Sequence, residues 1–183
     1  MVEKRIVEQC APTLAGIKCG SLFRTTCDIN AISSEIQLVN GLLNSYGVEV
    51  TTFRPSGCGT LVYVYRKDLL SRIEKDDERS IPFLEKSGYD VSSTDSLVNS
   101  LKDRTESAGC VPHEIGLFLG YPFDDVKGFI NSKGKCSKCI GCWKVYGSVE
   151  TANRLFDMFH RCRAIYTELY RNGASITSLT VPA

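Results

Sequence analysis

The sequence predicts a single α+β domain spanning residues 1–183: a small mixed or antiparallel sheet covered by helices, with a long amphipathic helix near the C-terminus. Three observations carry this. Val48 to Arg54 and Thr60 to Tyr65 (TLVYVY) are rich in β-branched and aromatic residues and flank the turn sequence PSGCG, the pattern of two paired strands. Between Ser148 and Gly173, the residues Leu155, Phe159, Cys162, Tyr166 and Leu169 alternate spacings of four and three, which lays one apolar stripe along one capped helix. The chain has 183 residues, 43% of them hydrophobic and 23% charged, enough to bury one core without cross-links. No repeat or linker marks a second domain.

The remaining elements follow in order. Residues 1–12 form a short helix or extended lead-in that stops before Pro12, because proline disfavours helix in the residue preceding it. Thr13 to Phe23 alternates Ile17, Cys19, Ser21 and Phe23 on one face and is expected as the first strand. With Asp28 or Asn30 as its cap, Ile32, Ile36, Val39, Leu43 and Tyr46 make an amphipathic helix closed by Gly47. Arg66 to Gly109 is charged and serine-rich, with helical patterns around Leu69, Leu70 and Ile73 and around Leu97, Val98 and Leu101. Ile115 to Gly120 and Trp143 to Tyr146 are candidate extra strands, and the tail SITSLTVPA is an extended segment laid on the body.

Composition narrows the function classes. A net charge of +1 argues against bulk electrostatic attraction to DNA or membranes. The longest apolar run, Ile115 to Tyr121, is far short of the roughly 20 residues a bilayer span needs. MVEKRIVEQC lacks the apolar run of a secretory signal, so the expectation is a cytoplasmic protein with no membrane role. Nine cysteines, an odd number without an export signal, read as reduced thiols rather than a disulfide framework.

The chemistry concentrates between Pro112 and Gly147. Cys136, Cys139 and Cys142 form C-x2-C-x2-C, a spacing that turns thiolates toward one centre in zinc and iron–sulfur sites. Tyr146 stands where a ferredoxin-type loop has its fourth cysteine, so the fourth ligand has to come from His113, Cys110, Cys162 or His160. His113 is the preferred one; Cys162 lies on the apolar stripe and His160 reads as an exposed residue beside it. Lys127, Lys133, Lys135, Lys138 and Lys144 bracket the cysteines, with no acidic residue between Asp125 and Glu150. Cations of this kind favour thiolate, for metal binding, redox chemistry or nucleophilic attack. With Trp143 and Tyr146 to stack bases, the Lys133 to Lys144 loop is also a candidate nucleic-acid or protein contact, and a solvated basic loop with incidental cysteines is the plain alternative. Asp124 and Asp125 fit the first turn of a helix opened by Pro122. A separate enzyme reading takes Cys10 as nucleophile in CAPTLAGIK, with His113 as base and Glu114 beside it.

CAPTLAGIKCGSLF near the start, HEIGLFLGYPFDDVKGFI through CWKVYG in the centre, and the C-terminal helix through SLTV resemble a family of small proteins of anaerobic Gram-positive bacteria catalogued as domain of unknown function 3793. Gln9 stands where that family often has histidine, and members vary at the positions of Cys136, Cys139 and Cys142. The resemblance implies a role in iron or redox physiology. The resulting expectation is a metal- or redox-linked accessory protein built on the cysteine loop.

Overall fold

The computed structural model describes residues 2–26, 29–56 and 59–183. Helix α1 (Val2–Leu14) leads to strand β1 (Gly20–Thr25), then helix α2 (Ile29–Leu43) and the strands β2 (Val48–Phe53) and β3 (Thr60–Arg66). Four helices follow: α3 (Lys67–Leu70), α4 (Ile73–Asp76), α5 (Ser80–Lys86) and α6 (Thr94–Ala108). The last third comprises α7 (Ile115–Phe118), α8 (Phe123–Asn131), a ribbon of β4 (Cys139–Ile140) and β5 (Lys144–Val145), and α9 (Val149–Arg171).

β3 lies between β1 and β2 and is antiparallel to both, with Val62 opposite Phe23 and Thr52 and Val64 opposite Ser21 and Val50. Every residue of β3 is buried, as a central strand covered on both faces must be. Its alternation sorts the core into two layers. Val62 and Val64 pack with Ile6, Val7, Cys10 and Leu14 of α1 and with Ile32, Val39 and Leu43 of α2. Leu61, Tyr63 and Tyr65 pack on the other side with Leu70, Leu84, Leu101 and Phe118. A third cluster, Trp143, Val145, Ala152, Phe156 and Phe159, joins the ribbon to α9.

Arg66, at the end of β3, is only 1% exposed. Its Nη1 donates to the Val181 carbonyl at 2.8 Å and to the Leu14 carbonyl at 3.5 Å, and its Nε meets Asp68 Oδ1 at 3.3 Å. One buried guanidinium thereby fastens the C-terminal tail to the end of α1.

Several expectations need correction. Pro12 does not end α1, which runs to Leu14 with Pro12 inside its last turn. Cys10, Ala11 and Leu14 are all fully buried there, and that packing outweighs one lost backbone bond. The first strand consequently begins at Gly20 rather than Thr13. Ile115 to Gly120 adds no strand and forms the single turn α7, while Lys144–Val145 pairs only with Cys139–Ile140. The tail coils into turns that bury Ile176 and Leu179. The C-terminal helix has the expected Ser148 cap, whose hydroxyl accepts from Thr151 N at 3.2 Å. Its buried stripe stops short, since Leu169 is 44% exposed. Asp28, a candidate cap of α2, lies outside the described residues, as does the side chain of Asn30.

Candidate functional site

The ribbon holds the three clustered cysteines, and what fixes it in place is a carboxylate on α8. Asp124 and Asp125 both open that helix, but only Asp125 turns inward, where it is 2% exposed. Its Oδ2 accepts from Trp143 Nε1 at 2.7 Å, and its Oδ1 accepts from Tyr146 N at 2.7 Å and Gly147 N at 2.6 Å. Asp124 instead meets Arg79 at the surface, at 2.9 Å. Two glycines permit the close approach: a Cβ on Gly128 would collide with the Tyr146 side chain, and one on Gly141 with the Phe156 ring. Gly141 N donates to the Trp143 carbonyl at 3.0 Å and closes the turn that carries Cys142.

Trp143 stacks on Tyr121, with ring centres 4.5 Å apart, and takes the edge of Phe156 at the same distance. Against this aromatic floor Cys142 is half-buried, and its Sγ lies 3.4 Å from Nε2 of His160, an exposed side chain of α9. Lys18 enters from the loop after α1, its Nζ 5.4 Å from the centre of the Tyr121 ring and 5.6 Å from that of Phe159. Burial lowers the Lys18 pKa, a shift the nearby thiols of Cys10, Cys19 and Cys142 partly oppose. Among the described residues no carboxylate pairs with this ammonium. Cys19 donates to the Phe118 carbonyl at 3.4 Å.

Beside Trp143 a cleft of about 420 Å³ opens. Ile115, Tyr121, Val126, Phe129 and Trp143 give it an apolar lining, and His113, Cys142 and Lys144 supply its polar groups. The His113 ring meets Phe129 edge-on at 5.0 Å. Asp125 also borders the cleft, but both its oxygens are already committed to the ribbon.

The structure brings His113 and Cys142 to one cleft and leaves the other expected groupings apart. Cys136 is exposed, in a left-handed backbone conformation with φ of 57°, whereas Cys139 and Cys142 pack against the Trp143 cluster. Among the described residues no three His, Cys, Asp or Glu side chains gather as a cation site. The donor set expected from sequence, Cys136, Cys139, Cys142 and His113, is not gathered at one point in this structure. Cys10 is fully buried in the layer beneath α1, and desolvation pushes its thiol up to about 12 against the pull of Lys18 and Arg163. His113 and the half-buried Glu114 lie beyond the opposite face of the sheet, among residues packed on the second layer. Cys110 is exposed, and Cys162 belongs to the core as its stripe position implies.

Sequence reasoning passed over Lys18 and offered His160 as a fourth-ligand candidate that reads as an exposed residue, not as a thiol's partner. His160 follows Phe159 of the buried stripe, so a position at the edge of the packed face was readable, but its pairing with Cys142 depends on how the ribbon folds back on α9. Asp125 carried a helix-start signal identical to that of Asp124, and nothing local distinguishes them.

No curated protein matches the chain, and no solved structure does. The family described as Protein of unknown function (DUF3793) matches residues 6–180, nearly the whole chain. The chain belongs to that family.

Proposed function

We propose that this is a thiol-redox protein of the cytoplasm in which Cys142, paired with His160, exchanges with disulfides and Cys139 resolves the product. The observation that carries the reading is the 3.4 Å contact between Cys142 Sγ and His160 Nε2 at the protein surface. In the tautomer with its proton on Nδ1, the imidazole accepts the thiol proton and leaves a thiolate, the nucleophile of thiol–disulfide exchange. That thiolate attacks one sulfur of a substrate disulfide; the substrate S–S bond breaks, and its second sulfur leaves as a thiolate that takes up a proton. Cys139, three residues away and packed on the same aromatic cluster, then attacks Cys142 Sγ and releases the rest of the substrate. The substrate disulfide is reduced to two thiols, and Cys139 and Cys142 are oxidised to a disulfide, which a dithiol reductant reopens. Cys139 and Cys142 are both free thiols, the form from which the exchange starts.

The test is reaction of the reduced protein with a small aromatic disulfide, followed by peptide mapping. The expected product is a Cys139–Cys142 disulfide. Cys139→Ser is expected to stop at the mixed disulfide on Cys142, and His160→Ala to slow the first step by roughly tenfold or more at neutral pH. Oxidation that proceeds unchanged in Cys142→Ser would sink the reading.

A further inference from the structure

We infer that the cleft beside Trp143 binds a small molecule with an aromatic or branched apolar body and a carboxylate or sulfonate group. Resting on the pair proposed above, this molecule is the body of the disulfide that Cys142 attacks. The volume, about 420 Å³, lies in the range of small-ligand pockets and is far below what a folded partner needs. Its lining is apolar, and Tyr121 and Trp143 are already stacked on each other, so a flat ligand ring extends an existing aromatic surface.

An anionic group on the ligand would meet Lys144, which lines the cleft. Lys144 Nζ donates to the Gly134 carbonyl at 2.7 Å. That acceptor is neutral, and the Lys144 amine has further hydrogens to donate. Asp125 is the carboxylate at the cleft, and its oxygens are occupied by three N–H groups of the ribbon. Among the described residues no carboxylate pairs with Lys144, and the rest of the lining is largely apolar: an acid with an apolar body satisfies both. Cys142 borders the same space, so the attacking residue lies beside the bound ligand.

Trp143 is the single tryptophan of the chain and forms a wall of the cleft, so its emission reads occupancy directly. The experiment titrates 4-phenylbutyrate and its uncharged amide into the Cys142→Ser protein, where no thiol chemistry at that position interferes. A saturable change in Trp143 emission is expected with the acid, with roughly tenfold weaker binding of the amide. In Lys144→Gln, which keeps a donor for Gly134 but loses the charge, acid and amide should bind alike. Ile115→Phe, which fills the cleft from its apolar side, should weaken both. Absence of a saturable response to either compound overturns the inference. Equal binding of acid and amide by the Cys142→Ser protein overturns the anionic part of it. Neither result depends on the exchange reaction, whose failure would leave the binding measurement standing.

Discussion

Cys10 and Cys142 both lie near Lys18, yet their surroundings give them opposite chemistry. Cys10 is fully buried under α1, and desolvation holds its thiol protonated up to about 12, against an ordinary value of 9.0. Below pH 9 the folded and unfolded chains both keep this proton. Above it the unfolded chain loses the proton first, so stability contributed by Cys10 falls between pH 9 and about 12. Urea unfolding across that window should show a shallower decline for Cys10→Ala than for the wild type; identical slopes would mean that Cys10 is solvated. Cys142 has an imidazole at 3.4 Å and access to solvent, the two things Cys10 lacks. The sequence pointed to Cys10 because a proline turn was expected to present it. That expectation failed when α1 continued through Pro12 and carried Cys10 inward. The thiol pattern at Cys139 and Cys142 was legible; the partner was not, because His160 lies 18 residues downstream on a different element.

At the scale of elements, what was readable followed from periodicity in the long helix and from residue type in the strands. α9 has apolar residues every third or fourth position, while β2 and β3 were readable from their β-branched and aromatic residues and the turn between them, and all three came out with the expected boundaries to within a residue or two. The run Ile115 to Gly120 is apolar without a period, which does not separate a strand from a buried turn of helix. It became α7, with Gly116 close against Val126 of α8. The ribbon pairs only two residues per strand and has no independent stability of its own. It is held by Asp125, so Asp125→Ala leaves three N–H groups without their acceptor in a buried site. The expected cost is about 3–5 kcal/mol in urea unfolding, with Trp143 emission shifted to the red in the native baseline. Asp125→Asn, which retains one carbonyl oxygen, should lose less. If Asp125→Ala is as stable as the wild type, the ribbon is anchored by something other than this carboxylate.

For the whole molecule, the three-stranded sheet divides the core so that α1, α2 and the tail cover one face and α3 to α8 the other, with the ribbon and the first half of α9 as a third cluster. The candidate site sits where these parts meet: Lys18 from the loop after α1, Tyr121 from the turn before α8, Cys142 from the turn of the ribbon and His160 from α9. No two of these residues are neighbours in sequence, which is why an isolated motif search finds only the cysteines. The composition-level expectation about membranes has a limited counterpart: among the described residues no helix is long and apolar enough to cross one. Exposure alone would make Cys110 and Cys136 the most reactive thiols, since both are exposed while Cys142 is intermediate. Pairing with His160 reverses that order. The deciding measurement is therefore a brief pulse of iodoacetamide at neutral pH on the reduced protein, with each cysteine quantified by peptide mass spectrometry. The expected result is that Cys142 is modified first, ahead of Cys110 and Cys136, and that His160→Ala abolishes its lead while leaving those two unchanged. Modification of Cys110 and Cys136 ahead of Cys142 in the wild type, or a lead for Cys142 that survives His160→Ala, would contradict a reactive Cys142–His160 pair.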